Sequence, residues 1–318
     1  LLVGRQSYNK RVSYIFYFQR LDKNPIFITM HSPIPVILSQ VFPQEELVIR
    51  SVERISGGDI NDAFMALTNN GPFFIKTNHT SAPHFFDGEL RSLNLLAATN
   101  TLTVPKPFGC GKVNGMQFIV MEWLHTGHPG EDFWENLGTG LASVHTHSNE
   151  LFGAARDQYI GTLPQSNTQT TTWHHFYRDQ RIMPLLRDAL DQGLCTREDI
   201  VCGERFCNRL TELLPVEPAA LLHGDLWSGN FLIKTDGHPA LIDPAVYYGH
   251  REMDIAMTAL FGGFDPLFYQ AYNAAYPLQT GWQQRLAVSQ LYPLLVHLLL
   301  FGSGYYGRVK TILQQYGN

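Results

Sequence analysis

Residues 221–233 read Leu-Leu-His-Gly-Asp-Leu-Trp-Ser-Gly-Asn-Phe-Leu-Ile, and residues 240–245 read Ala-Leu-Ile-Asp-Pro-Ala. Asp225, Asn230 and Asp243 each stand at the edge of a short apolar run of strand character, and Lys234-Thr-Asp-Gly-His-Pro239 between the runs has the composition of a hairpin turn. The turn folds the chain back, so Asp243 is expected beside Asn230 although far from it in sequence. Phosphoryl transfer needs this set at one point. One carboxylate accepts a hydroxyl proton, while an amide oxygen and a second carboxylate hold a divalent cation on nucleotide phosphates. Taken singly the pieces are less specific: His-Gly-Asp also suits a turn with a capping Asp, and Asp243-Pro also suits an ordinary strand end.

Upstream, Leu47–Val52, Ala63–Leu67 and Phe73–Lys76 have strand character, separated by Ser56-Gly-Gly-Asp and Asn69-Asn-Gly-Pro turns. Three antiparallel strands are expected. A helix follows over His84–Ala98, with Phe86, Leu90, Leu93 and Ala97 at helical spacing. After Pro105 and Pro107 come a Gly-containing hairpin and the strand Gln117–Met121, closing a small sheet near Leu124. Beyond it the pattern is helical, over 130–148, 171–192, 197–214, 252–261 and 283–301, interrupted only by the 231–242 hairpin. The expected architecture is α+β and bilobal: a small antiparallel sheet with one helix (30–124), then a larger, mainly helical lobe (125–318).

The 318 residues are 44% hydrophobic, ample for a sizeable core, and carry a net charge of −5, so no basic excess exists to hold a nucleic-acid backbone. Five of the 23 basic residues but only one of the 28 acidic ones fall in residues 1–29. Segment 1–29 is therefore expected to be an extension outside the fold, with Met30 as a natural start; a basic, partly ordered arm is the alternative. It has no apolar core of signal-peptide type. Cys110, Cys195, Cys202 and Cys207 make no C-x-x-C pair, as expected of reduced thiols in a cytoplasmic protein. Leu291–Phe301, the most apolar run, is too short to span a bilayer and is expected to be a buried helix, so no membrane partner is expected.

Together these segments resemble the small-molecule kinases of protein-kinase-like fold. Aminoglycoside phosphotransferases and choline kinases share H-x-D-x-x-x-x-N, here His223 to Asn230. The run His-Gly-Asp-Leu-Trp-Ser-Gly-Asn, with Asp243-Pro-Ala-Val-Tyr-Tyr-Gly-His-Arg-Glu-Met-Asp254 downstream, resembles more closely the fructosamine kinase (ketosamine 3-kinase) family, over most of the chain from about 46 to 301. The resemblance implies an ATP- and Mg²⁺-dependent enzyme. It would phosphorylate O3 of a ketosamine, a fructosamine or ribulosamine, free or on a glycated protein, and so promote release of the amine. Other acceptors of the superfamily (aminoglycoside, choline, homoserine) or a catalytically silent nucleotide-binding protein are the alternatives.

The resemblance also implies roles. Asp225 is the catalytic base, and Asn230 and Asp243 are the metal ligands. Lys76, at the end of the third strand, grips the phosphates and is held by Glu89 on the next helix. Gly57 and Gly58 form the phosphate-covering turn. Asp59 stands where many family members carry Cys, which speaks against a thiol switch there. Glu122, Trp123 and Leu124 form the adenine-side hinge, though Leu124 also suits plain packing between lobes. Trp227, Tyr247, Tyr248 and His250 are acceptor-pocket candidates, with Pro164–Asn167 and Trp173 echoing the family; packing roles explain these equally well. Asp254 is implied to support the catalytic loop from below. His145-x-His147 and His174-His175 lack the companions of a metal site and are expected to end helices or face solvent.

Overall fold

The computed structural model describes residues 32–56 and 60–317; segment 1–29, Met30, Gly57, Gly58 and Asp59 lie outside the described residues. The first part runs α1 (Ile34–Val41), β1 (Ile49–Ile55), β2 (Asp62–Thr68), β3 (Gly71–Asn78), α2 (Asp87–Ala98), β4 (Pro107–Val113) and β5 (Met116–Glu122). Its five strands form one antiparallel sheet in the order β1-β2-β3-β5-β4. Tight turns set the register. Asn114 (φ +49°) and Gly115 (φ +85°) join Val113 to Met116, the left-handed pair that matches the twist of a two-residue hairpin. The β2–β3 turn is tied down by Asn69, whose Oδ1 accepts from the Val48 amide at 2.9 Å.

Residues Met116–Met121 of β5 are all buried, because both faces of the sheet are covered. On one face Ile34, Ile37 and Leu38 of α1 pack against Val52, Phe73, Ile75 and Phe118. α1 has no counterpart in the sequence reading; eight residues opened by a proline give little periodicity to detect. On the other face Leu93 and Leu96 of α2 join Ile119 and Met121 in a core that continues into later helices. The α2 helix begins at Asp87, three residues after His84, and it buries Leu96 where Ala97 was expected.

The second part comprises α3 (Phe133–Thr146), β6 (Ser148–Asn149), β7 (Gln158–Ile160), β8 (Leu163–Gln165), α4 (Trp173–Tyr177), a π-helical turn (Arg178–Ile182), α5 (Met183–Asp191), α6 (Arg197–Asn208) and α7 (Leu210–Leu213). Then come β9 (Ala219–Leu222), β10 (Phe231–Ile233), β11 (Pro239–Leu241), β12 (Tyr247–Gly249), α8 (Glu252–Leu260), α9 (Pro266–Ala275), α10 (Trp282–Phe301) and α11 (Tyr306–Tyr316). The β10–β11 hairpin is present as read, Phe231 opposite Leu241. It is not the sole β unit here: a β12-β9-β6 sheet and a β7–β8 hairpin accompany it. Strands of two to four residues carry too little alternation to be read, and β9 is buried at every position. The stretch 171–192 is divided by the π turn, and α9 and α11 are helices beyond those expected.

The apolar run lies in α10, with Leu291, Leu294, Leu295 and Leu298 fully buried in the largest core. At about 1.5–3 kcal/mol for each large apolar side chain removed from water, this face anchors the helical part. Among the described residues no helix is long and apolar enough to cross a membrane, and the four cysteines are unpaired.

Candidate active site

The loop carrying Asp225 leaves β9 at Leu222, which pairs with Tyr247 of β12, and enters β10 at Phe231, in the separate two-stranded β10–β11 sheet. Gly224 has φ +83°, and a Cβ there would lie 2.1 Å from the Ala245 carbonyl oxygen. Only glycine permits this crossing, a physical reason for His-Gly-Asp. His223 is buried, and both ring nitrogens are used: Nε2 donates to the Ile242 carbonyl at 2.9 Å and Nδ1 accepts from the Asp225 amide at 3.3 Å. Burial lowers its pKa, in keeping with this neutral tautomer.

Asp254, at the start of α8, clamps the loop from beneath. Its Oδ2 accepts from the His223 amide at 2.7 Å and its Oδ1 from the Gly224 amide at 3.0 Å. His145 of α3 donates to Oδ2 through Nε2 at 3.1 Å, while its Nδ1 accepts from the Tyr272 hydroxyl at 2.7 Å. Burial alone would raise the Asp254 carboxyl, but these donors more than reverse that, and its pKa lies below the ordinary value. His145 thus neither ends the helix idly nor faces solvent. His147 is exposed, and the His174 and His175 rings lie tilted against each other with centroids 4.2 Å apart.

Within the loop Asn230 is buried, and its Nδ2 donates to the Asp225 carbonyl at 2.8 Å and to Asp225 Oδ2 at 3.1 Å. That leaves Asn230 Oδ1 as the oxygen available to a cation. Burial, with Asp243 as the next cause, pushes the Asp225 carboxyl up to about 7, while the Asn230 amide pulls the other way. Such a carboxylate is disposed to take a proton near neutrality.

Asp243 arrives two residues after β11, where Ile242 donates to the Asn230 carbonyl at 3.0 Å. Its φ of +55° is a left-handed conformation that Asp tolerates better than most residues. Its Oδ1 meets Lys76 Nζ at 2.6 Å, and Lys76 also donates to Glu89 Oε1 at 2.7 Å. Lys76 is buried near the end of β3, not solvated. Burial would lower its pKa, but Asp243 and Glu89 together hold it above the usual lysine value, so the ammonium is charged. The structure therefore brings Lys76, Glu89 and Asp243 into one chain of charges, buried at Lys76 and open at Asp243, and Asp225 and Asn230 into a second pair, the two joined through the Ile242–Asn230 contact.

Glu122 ends β5, exposed, with its amide donating to the Lys106 carbonyl at 2.8 Å. Trp123 leans on Phe74 with ring centroids 6.1 Å apart. Backbone pairing with the β10 hairpin resumes only at His125, whose carbonyl accepts from Thr235, and Gly127, whose amide donates to Ile233. Among the described residues the backbone N–H and C=O groups of Leu124 have no hydrogen-bond partner.

The acceptor-side candidates separate. A cavity beside Asp225 is lined by Gly224, Tyr247, Tyr292, Met253 and His297. Tyr247 faces it and Tyr248 does not, since successive strand residues point to opposite faces. His250 is fully buried away from it, Nε2 donating to the Pro215 carbonyl at 3.1 Å and Nδ1 accepting from the Glu252 amide at 3.3 Å. Trp227 is half-buried, its ring lying over Gly229, where a Cβ would come within 2.3 Å of it. Gln165, Asn167 and Trp173 are buried anchors: Gln165 donates to the Tyr292 hydroxyl at 2.6 Å and Asn167 accepts from Arg181 at 2.7 Å. Tyr292 and His297 escape the sequence reading because they lie in an apolar helix that reads as pure core; Pro293 and His297, interrupting that run, are the one signal that could have marked them.

The donor set suits Mg²⁺. That ion takes hard oxygen ligands and binds nucleotides through one or two carboxylates, the remaining positions going to phosphate and water. Asn230 Oδ1 and the second oxygen of Asp243, whose side chain is 43% exposed, offer such donors. Among the described residues there is no cluster of three or more His, Cys, Asp or Glu of the kind an all-protein metal cage would need.

Fold and site together define a two-lobed phosphotransferase of the protein-kinase-like class. Residues 30–318 match the family model described as fructosamine kinase. The chain belongs to the fructosamine kinase family. It is 42% identical over 271 residues to a Lactiplantibacillus plantarum protein named "Probable ketoamine kinase", covering 84% of this chain and 95% of that one. It is 38% identical over 274 residues to the "Protein-ribulosamine 3-kinase, chloroplastic" of Oryza sativa subsp. indica, covering 84% of this chain and 79% of that one. The solved structure of a candidate fructosamine-3-kinase from Thermobifida fusca superposes with TM-score 0.79 at 35% identity, covering 87% of this chain and 96% of that one. An aminoglycoside phosphotransferase bound to ADP and hygromycin B aligns with TM-score 0.57 at 14% identity, a likeness of fold alone.

Proposed function

We propose that the chain transfers the γ-phosphoryl group of ATP to O3 of a ketosamine, the adduct of a sugar with an amine, free or on a protein. The ordered pairing of Asp225 with Asn230 and of Lys76 with Glu89 and Asp243, within a fructosamine kinase chain, carries this reading. Asp225 accepts the proton of the attacking hydroxyl, its carboxylate oriented by the Asn230 amide. Lys76, kept charged by its two carboxylates, reaches the nucleotide phosphates, and Glu89 retains it when Asp243 turns to the cation. Asn230 Oδ1 and Asp243 would hold Mg²⁺, which supplies neutralisation of phosphate charge. The unpaired backbone groups of Leu124, beside Glu122 and Trp123, meet the adenine edge, and Gly57 and Gly58 serve the phosphates.

In this reading residues 30–124 serve the nucleotide and residues 125–318 serve the acceptor, with 1–29 outside both. Phosphorylation at O3 makes the adduct labile, so the amine is released and deglycation results. The unpaired cysteines support a reducing setting such as the cytoplasm. Initial ADP release measured with ATP, Mg²⁺ and a panel of acceptors tests the proposal. Ribulosyl- or fructosyl-lysine should be turned over, and Asp225→Asn should abolish it; preferential turnover of an aminoglycoside, choline or homoserine would refute it.

A further inference from the structure

Next to the cavity at Asp225 lies a set of aromatic side chains for which phosphoryl transfer has no use. His297, on the last turns of α10, lines that cavity. Its ring centroid stands 4.8 Å from Phe261, 5.4 Å from Phe301 and 5.1 Å from Tyr305. Phe261 in turn meets Trp227 of the catalytic loop edge-on at 6.2 Å. The shelf is thus continuous from the catalytic loop to the end of α10. It is also open: Phe261 is 38% and Phe301 48% exposed, whereas the neighbouring Leu260, Leu294, Leu295 and Leu298 are buried. The turn after Phe261 presses on the catalytic loop, since a Cβ on Gly263 (φ +92°) would lie 2.7 Å from Ser228 Cβ. The shelf therefore has a fixed position relative to Asp225.

His297 has a second relevant property. Its Nδ1 donates to the Pro293 carbonyl at 2.7 Å, and among the described residues its Nε2 has no partner. Burial lowers its pKa, so the ring is neutral, an apolar face with one acceptor.

In a ketosamine the reacting O3 and the amine nitrogen are separated by C3, C2 and C1, a span of about 5 Å when extended, at roughly 1.5 Å per bond less the bond-angle bend. With O3 at Asp225, the amine's substituent therefore begins one layer of side chains away from the carboxylate, which is where the shelf starts. Aromatic faces accept both hydrocarbon and the ammonium that joins it to the sugar.

Resting on the ketosamine reading above, we propose that Phe261, His297, Phe301 and Tyr305 form the subsite for the amine's substituent, selecting ketosamines of amines that carry an apolar or aromatic chain over those of the smallest amines. The substituent lies on the shelf, and the sugar spans the distance from it to Asp225.

The test compares kcat/KM for two ribulosamines that differ only in the amine, benzylamine against methylamine. Wild type should favour the benzylamine adduct about tenfold, chiefly through KM. Phe301→Ala should cut that ratio about fivefold or more, Phe261→Ala should act in the same direction, and Phe301→Leu should retain part of it. A wild-type ratio near one, which needs no variant, overturns the proposal, as does a Phe301→Ala enzyme that slows on both adducts alike. Failure of wild type to phosphorylate either adduct, or ribulosyl-lysine, strikes the ketosamine reading itself and this inference with it.

Discussion

Replacing Asp254 by Asn should unlock the catalytic loop without touching the reacting groups. The carboxylate accepts three hydrogen bonds in a fully buried site: the His223 amide at 2.7 Å, the Gly224 amide at 3.0 Å and His145 Nε2 at 3.1 Å. An amide of the same shape offers one oxygen. If that oxygen keeps His223 and His145, its NH₂ faces the Gly224 N–H, donor against donor. The two retained bonds each fall from the charge-assisted to the neutral class, about 1 kcal/mol apiece, and the orphaned N–H costs about 1–3 kcal/mol more. The loss should be about 3–5 kcal/mol, the range for breaking a buried ionic network. Urea unfolding measures it, an unchanged m-value confirming that the native and unfolded states are otherwise alike. kcat should drop at least tenfold, because Gly224 and His223 position Asp225.

The same carboxyl predicts a pH signature. Its folded pKa lies below its unfolded value, near 4, so its contribution is present above about pH 4 and is lost as pH falls through the folded pKa. The stability gap between wild type and Asp254→Asn should be constant from pH 8 to 5 and narrow below 4. A gap under 0.5 kcal/mol at neutral pH, or one that widens in acid, would refute the clamp.

Lys76→Met should strand Glu89 and Asp243, raising KM for ATP and lowering kcat about a hundredfold in steady-state assays, the scale of losing a preorganised charge at transferring phosphate. Gly224→Ala, forced into φ +83° with its Cβ 2.1 Å from Ala245 O, should lose at least about 2 kcal/mol, seen as a fall in Tm of several degrees. Leu294→Ala, in the fully buried face of α10, should lose about 2–5 kcal/mol in urea with kcat little changed. Burial, aided by Asp87, pushes the Cys110 thiol up to about 12, so alkylation by iodoacetamide at pH 8 should run far slower than for a free thiol, measured by mass spectrometry.

What the sequence revealed followed from how local each feature is. The hairpins of the first sheet were legible because Asn69-Asn-Gly and Asn114-Gly115 are turn chemistry written in consecutive residues. Asp225, Asn230 and Asp243 were legible because one loop and one hairpin carry all three. Lys76 and Glu89 needed the order of elements as well, since nothing in either residue's neighbours shows that they meet. The shorter strands of the second part were not legible: β6 and β12 take their pairing from β9, distant in sequence, as when Tyr247 meets Leu222, and the β7–β8 hairpin has only three residues a side. The clamp joining His145, Asp254 and Tyr272 was hidden for the same reason, with His145 more than a hundred residues from both partners. Tyr248 and His250 show the limit of proximity in sequence. They follow a metal-ligand candidate closely, yet strand alternation turns one away from the cavity and burial removes the other.

In the proposed reaction Asp225 directs phosphoryl transfer to a ketosamine hydroxyl. Incubating the protein with ATP, Mg²⁺ and ribulosyl-lysine and locating the added phosphate by phosphorus–proton correlation NMR tests this most directly. One phosphate on O3 is expected with wild type and none with Asp225→Asn. Phosphate on another atom, or equal product from the variant, would contradict it.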